Sequence, residues 1–125
     1  MGEGFGRFIS DGAASTLDLS NLTNTTGGEL RAQNNGRVVC PKLASLTDTL
    51  VSKDGPTSEL ASDKVSSALR SSIRASGGAV MRFPLLTTYE TGDHGGSWAI
   101  EASGANTVLD FPKLTRLVGA LAGFS

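Results

Sequence analysis

The sequence predicts a mainly β chain wound as a parallel solenoid of about five coils, with room for one or two short helices. Three observations predict it. Four stretches, Ser15–Thr23, Gly36–Ala44, Ala79–Thr87 and Thr107–Thr115, repeat a short apolar run, then Pro or Ser, any residue, and Leu. Three of them follow a second pattern, read in Leu30-Arg-Ala, Ile73-Arg-Ala and Ile100-Glu-Ala, each leading into Gly or Asn. Finally, 15 Ser, 12 Thr, 16 Gly and 5 Asn fill the space between the apolar positions. Small polar residues at this density suit recurrent tight turns, because Gly and Asn tolerate positive φ and Ser and Thr bond nearby backbone.

The repeat sets the coils in order. The Pro/Ser slot falls at Ser20, Pro41, Pro84 and Pro112, so the gaps are 21, 43 and 28 residues. The middle gap is about two periods. A degenerate coil is therefore expected between, with its slot near Ser62 and with Val51 and Leu60 as its apolar residues. The last gap is long because of an insertion over Glu90–Gly96 and one extra residue near Asn106. The coils run over 6–28, 29–48, 49–71, 72–96 and 97–119, with the start of a sixth at 120–125, in one repeat domain spanning 1–125. A fixed period of this length means stacked units, each burying its apolar face only against its neighbours. Strand alternation then points Leu30 and Ala32, Ile73 and Ala75, and Ile100 and Ala102 inward as columns. Two stretches compete with this reading. Ala61, Val65, Ala68, Leu69 and Ile73 recur at helical spacing, as do Leu114, Leu117, Val118 and Leu121, so a helix within 57–71 and another over 112–122 are expected alternatives.

The units Leu17-Asp-Leu-Ser-Asn-Leu-Thr23 and Val108-Leu-Asp-Phe-Pro-Lys-Leu-Thr115 resemble the L-D-L-P-x-L-T units of repetitive bacterial surface proteins. Those units are similar to leucine-rich-repeat or parallel β-helix repeats. The resemblance implies a cell-surface or extracellular place and an adhesive or recognition role, and it brings no catalytic motif. Cys40 in the apolar slot, the missing Pro of the third coil and the insertion in the fourth depart from the pattern. A viral or phage structural protein shares the Ser, Thr, Gly and Asn bias, which keeps a self-assembling particle or fibre subunit as the alternative.

Composition excludes several classes. With 11 Lys and Arg against 12 Asp and Glu, there is no basic stripe for nucleic acid. No apolar run approaches the ~18 residues of a membrane-spanning helix. Met1–Arg7 has no secretory apolar region. The single cysteine, Cys40, has no internal disulfide partner and reads as a small buried hydrophobe.

The insertion Tyr89–Trp98 carries the only Tyr, His and Trp of the chain. Repeat proteins often bind through loops inserted at one coil, so Tyr89, Glu90, Asp93 and His94 are the candidate ligand-binding residues, for a protein or carbohydrate partner. Asp93, His94 and Ser97 are triad residue types, but near-contiguous residues on a Gly-rich loop do not converge as a triad does. Asp93 and His94 alone are too few for a metal. The sequence thus offers no catalytic residues, metal ligands or cofactor motif. Thr23, Thr25, Thr47, Thr49, Thr87, Thr91 and Thr115 follow the corners too irregularly for a flat threonine face. The expected protein is a non-catalytic solenoid segment of a surface or adhesion-type protein. Its open ends offer strand edges for self-association.

Overall fold

The computed structural model describes residues 6–91 and 98–118, and there it contains strands and turns and no helix. The first coil runs through β1 (Arg7–Asp11) and β2 (Thr16–Asp18) into β3 (Asn24–Gln33). The second adds β4 (Arg37–Val39) and β5 (Ser45–Asp54), and the third β6 (Glu59–Leu60), β7 (Ser67–Leu69) and β8 (Ser72–Ser76). Strands β9 (Val80–Arg82), β10 (Thr88–Glu90) and β11 (Ile100–Ser103) follow, then β12 (Val108–Asp110) and β13 (Arg116–Val118).

Every pairing is parallel and joins one coil to the next. Face I carries β2, β4, β6, β9 and β12. Faces II and III belong to one bent sheet, with the corner inside β3 and β5. At that corner Gly27 (φ 81), Asp48 (φ 52) and Arg70 (φ 46) occupy successive coils in the left-handed region. Phe8, Leu30, Val51, Ile73 and Ile100 sit one above another, so these five passes bound four full turns.

The expected columns are present. Ile73 pairs with Ile100 and Ala75 with Ala102, and Leu17 pairs with Val38 on face I, as Met81 does with Leu109. Inward Leu30, Ile73, Met81, Leu43, Leu46, Leu86 and Phe83 are almost wholly buried. Each such side chain is worth ~1.5–3 kcal/mol of transfer free energy. Phe83 stacks on Phe111 with ring centroids 5.1 Å apart.

The corner after face I explains the Pro-x-Leu motif. The Leu43 amide donates to the Cys40 carbonyl at 3.2 Å, and Leu86 to Phe83 at 3.3 Å. This is a four-residue turn whose second position needs φ near −65° and no donor, which proline supplies. In the third coil the same turn is closed by Val65 and Ser62. The proline slot there is Asp63, one residue later than the period suggested, and Ser62 stands below Phe83's position in the column of Cys40.

The helical spacing between Ala61 and Ile73 has a different cause. Val65 closes a turn, Ala68 points inward from face II, and Ile73 points inward from face III beyond the corner at Arg70. A corner interrupts the period of two and produces spacings of three to five. Residues 112–118 likewise form a turn and β13, whereas 119–122 lie outside the described residues.

Face I is not continuous. β2, β4 and β6 form one sheet and β9 and β12 another. Where β6 would donate to β9, two side chains do so instead: Lys53 Nζ bonds the Val80 carbonyl at 2.8 Å, and Ser62 Oγ bonds that of Arg82. Lys53 starts from the alanine column, between Ala32 and Ala75. Burial pulls its ammonium below the ordinary lysine range.

Phe83→Ala should lower stability by about 3–5 kcal/mol, because a wholly buried ring stacked on its neighbour leaves a cavity; chemical denaturation measures it. Cys40 is buried and free, with its Sγ 3.5 Å from the Ala61 carbonyl. Burial pushes its thiol up to about 11. Native protein should therefore resist a thiol reagent at neutral pH and react promptly once unfolded, since the thiolate is the nucleophile.

Candidate functional site

The corner between faces II and III is where the solenoid leaves its period. Three residues separate Leu69 from Ile73, whereas nine separate their partners Glu90 and Ile100, so six residues are extra. The Ala99 amide bonds Ser72 Oγ at 3.1 Å, and the Thr91 amide bonds the Val118 carbonyl at 2.9 Å. The rungs on both sides of the insertion are thus pinned, and the surplus falls between Thr91 and Trp98. The second surplus residue, near Asn106, is also present: Ser76 and Val80 have three residues between them, and their partners Ser103 and Val108 have four.

The four candidate residues part company here. Tyr89 points inward and is 3% exposed, in the column of Leu46 and Ala68. Its hydroxyl donates to the Ser71 carbonyl, and burial pushes its pKa up to about 12. It is a core residue that ties face II to the corner. Glu90 points outward from the next position and lies 4.0 Å from Arg116 of the last coil. Asp93 and His94 lie outside the described residues.

Beside the corner, face II carries a shallow groove of about 430 Å³ bounded by Ser45, Thr47, Ser67, Leu69, Thr88 and Glu90. The corner column that follows these strands carries an ion pair, in which Arg70 Nε bonds Asp48 Oδ1 at 2.7 Å and Nη2 bonds Oδ2 at 3.2 Å. The Arg70 guanidinium holds the Asp48 carboxyl below its usual range. Hydroxyls, one carboxylate and a fixed Arg–Asp pair can exchange hydrogen bonds with a polar surface. Among the described residues no three His, Cys, Asp or Glu side chains gather around a common point.

One pattern was missed in the sequence. Oppositely charged residues one coil apart face each other along the stack: Arg37 and Glu59 at 3.1 Å, Arg74 and Glu101 at 3.3 Å, Arg82 and Asp110 at 3.6 Å, and Arg7 and Glu29 at 3.7 Å. Each of these four arginines stands about one period from its acid. The signal was opposite charge at the repeat spacing. The three pairs exposed at both members contribute ~0–1 kcal/mol each, so their larger effect is on register, whereas Glu29 of the fourth is buried.

No family profile matches the chain, and neither curated proteins nor solved structures include a significant match. Among the described residues no helix is long and apolar enough to cross a membrane.

The Asp48 pair gives a signed pH effect. A carboxyl whose folded pKa is depressed stabilises the fold above its unfolded value, near 3.8, and loses that contribution as pH falls through the lower folded value. Arg70→Gln should therefore lower the melting temperature slightly at neutral pH. The gap should close as pH drops below 3.8, which thermal melts across an acid series would record.

Proposed function

We propose that this chain is a non-catalytic β-solenoid that recognises a protein or carbohydrate partner, as a display segment of a surface or adhesion-type protein. The observation that carries the reading is the six-residue surplus at one corner, next to the face II groove and its Glu90 carboxylate. A solenoid with pinned rungs has nothing structural to gain from added residues at a single corner, whereas recognition loops are commonly carried on rigid scaffolds. The hydroxyls of Ser45, Ser67 and Thr88 and the Glu90 carboxylate offer hydrogen bonds to a ligand that also covers the groove's apolar part beside Leu69. The leucine-rich-repeat-like motif serves here as a corner turn rather than as a contact, and an extracellular place follows from the resemblance of the units.

The test uses one deletion and two readouts. Removing 92–97 joins Thr91 to Trp98 with the spacing that Arg70 and Ser71 have in the coil below. The melting temperature should stay within a few degrees of the parent. Binding to the glycans or surface proteins captured by the full chain on arrays should disappear, and Glu90→Gln should weaken it. Retained binding after the deletion would remove the loop from the reading.

A further inference from the structure

We propose that the two ends of the solenoid are complementary, so that a second copy of this chain docks head to tail and the stack continues across the joint. The inference is independent of the ligand reading above. At one end β1, β2 and the first half of β3 each have a neighbour on one side only, and at the other end so do β11, β12 and β13. Among the described residues nothing pairs with the six free edges. Unpaired parallel edges are templates for another chain.

The joint has a defined register. Within the protein, Phe8, Thr16 and Asn24 meet the second coil on faces III, I and II. Ile100, Val108 and Arg116 meet the fourth coil on the same faces. Both triplets are spaced eight and eight along the chain, so both end coils have the same lengths between faces. All three ladders can therefore close together, with β11 on β1, β12 on β2, and β13 on β3.

The side chains match in the same register. Leu109 falls on Leu17 and Ile100 on Phe8. The turns place Phe111 on Leu19 and Leu114 on Leu22. Leu117, 64% exposed, shares a column with Thr25 through Leu46, Ala68 and Tyr89. At the first coil Leu19, Leu22 and Thr25 line an apolar cavity of about 330 Å³ that opens at the end of the stack, with Phe8 and Leu30 in its wall. The most exposed large apolar side chain among the described residues thus projects onto the cavity at the other end. Phe111 offers the ring face that Phe83 leaves free. The contact uses different surfaces on the two partners, so it does not close at two copies and grows as a linear series. One rung is unfavourable, because Asp110 falls on Asp18.

Sedimentation of the full chain over a wide concentration range tests this. The average mass should rise with concentration past the dimer, and added salt should strengthen association by screening the Asp110–Asp18 rung. Leu117→Lys, at a position exposed enough to leave the circular dichroism unchanged, should abolish association. Asp18→Asn, which keeps the acceptor for the Ser20 amide at 3.1 Å, should strengthen it several-fold. A monomer at every concentration would overturn the proposal. So would a closed dimer, unaltered association of Leu117→Lys, or an Asp18→Asn variant that associates no better.

Discussion

The parallel backbone ladder between successive coils is the constraint on which everything else rests. It fixes the height of each rung and the residue that faces each neighbour, as in the run from Gly28 to Ala32 against Thr49 to Lys53. Because the register is set by main-chain bonds, side chains of one slot must share one narrow interior. That is why a column can run Leu30, Val51, Ile73 and Ile100 while its companion keeps Ala at most levels. It also explains Gly36, where an added Cβ would stand 2.2 Å from the Ser10 carbonyl oxygen of the coil below. The same pinning leaves extra residues only one outlet, at a corner, between rungs that are themselves held.

Much of this was legible because it repeats. The Leu–x–Ala pairs gave the columns, and the Pro-x-Leu slots gave the corner after face I. The count of surplus residues located both the insertion and the single residue near Asn106. The degenerate coil was found by arithmetic, from a gap of two periods, rather than by likeness, and its slot came out one residue early because that coil is itself one residue longer between Val38 and Leu60. The apparent helix over 57–71 arose because inward positions on two faces, read across a corner, imitate a helical stripe.

The candidate site was legible only in part, for a physical reason. Sequence separates the unusual residues from the repeat but does not say which side of the sheet each one takes. Tyr89 and Glu90 are adjacent, and alternation sends the first into the core and the second to the surface. Tyr89 is unique in the chain, yet it is a buried core residue paired with Ala68. The Asp48–Arg70 pair was invisible because neither residue is remarkable until the corner places them one above the other. Glu29 shows the limit of the charge reading as well: its carboxylate is 2.6 Å from Arg31 Nη2 yet Glu29 Oε2 has no aligned donor, a detail of geometry that spacing does not carry.

The seam on face I has a mechanical consequence. Faces II and III are stitched by continuous main-chain bonding past the third and fourth coils, whereas on face I Lys53 and Ser62 span the gap with side-chain donors. Side chains with several rotatable bonds stretch and reorient at far lower cost than a peptide ladder. Under bending load the solenoid is therefore two stiff blocks joined by a spine on two sides and by compliant ties on the third. It flexes in one direction, opening between β6 and β9, and resists bending in the others. The stack thereby acquires a preferred direction of curvature at the level where a lysine replaces a small inward residue.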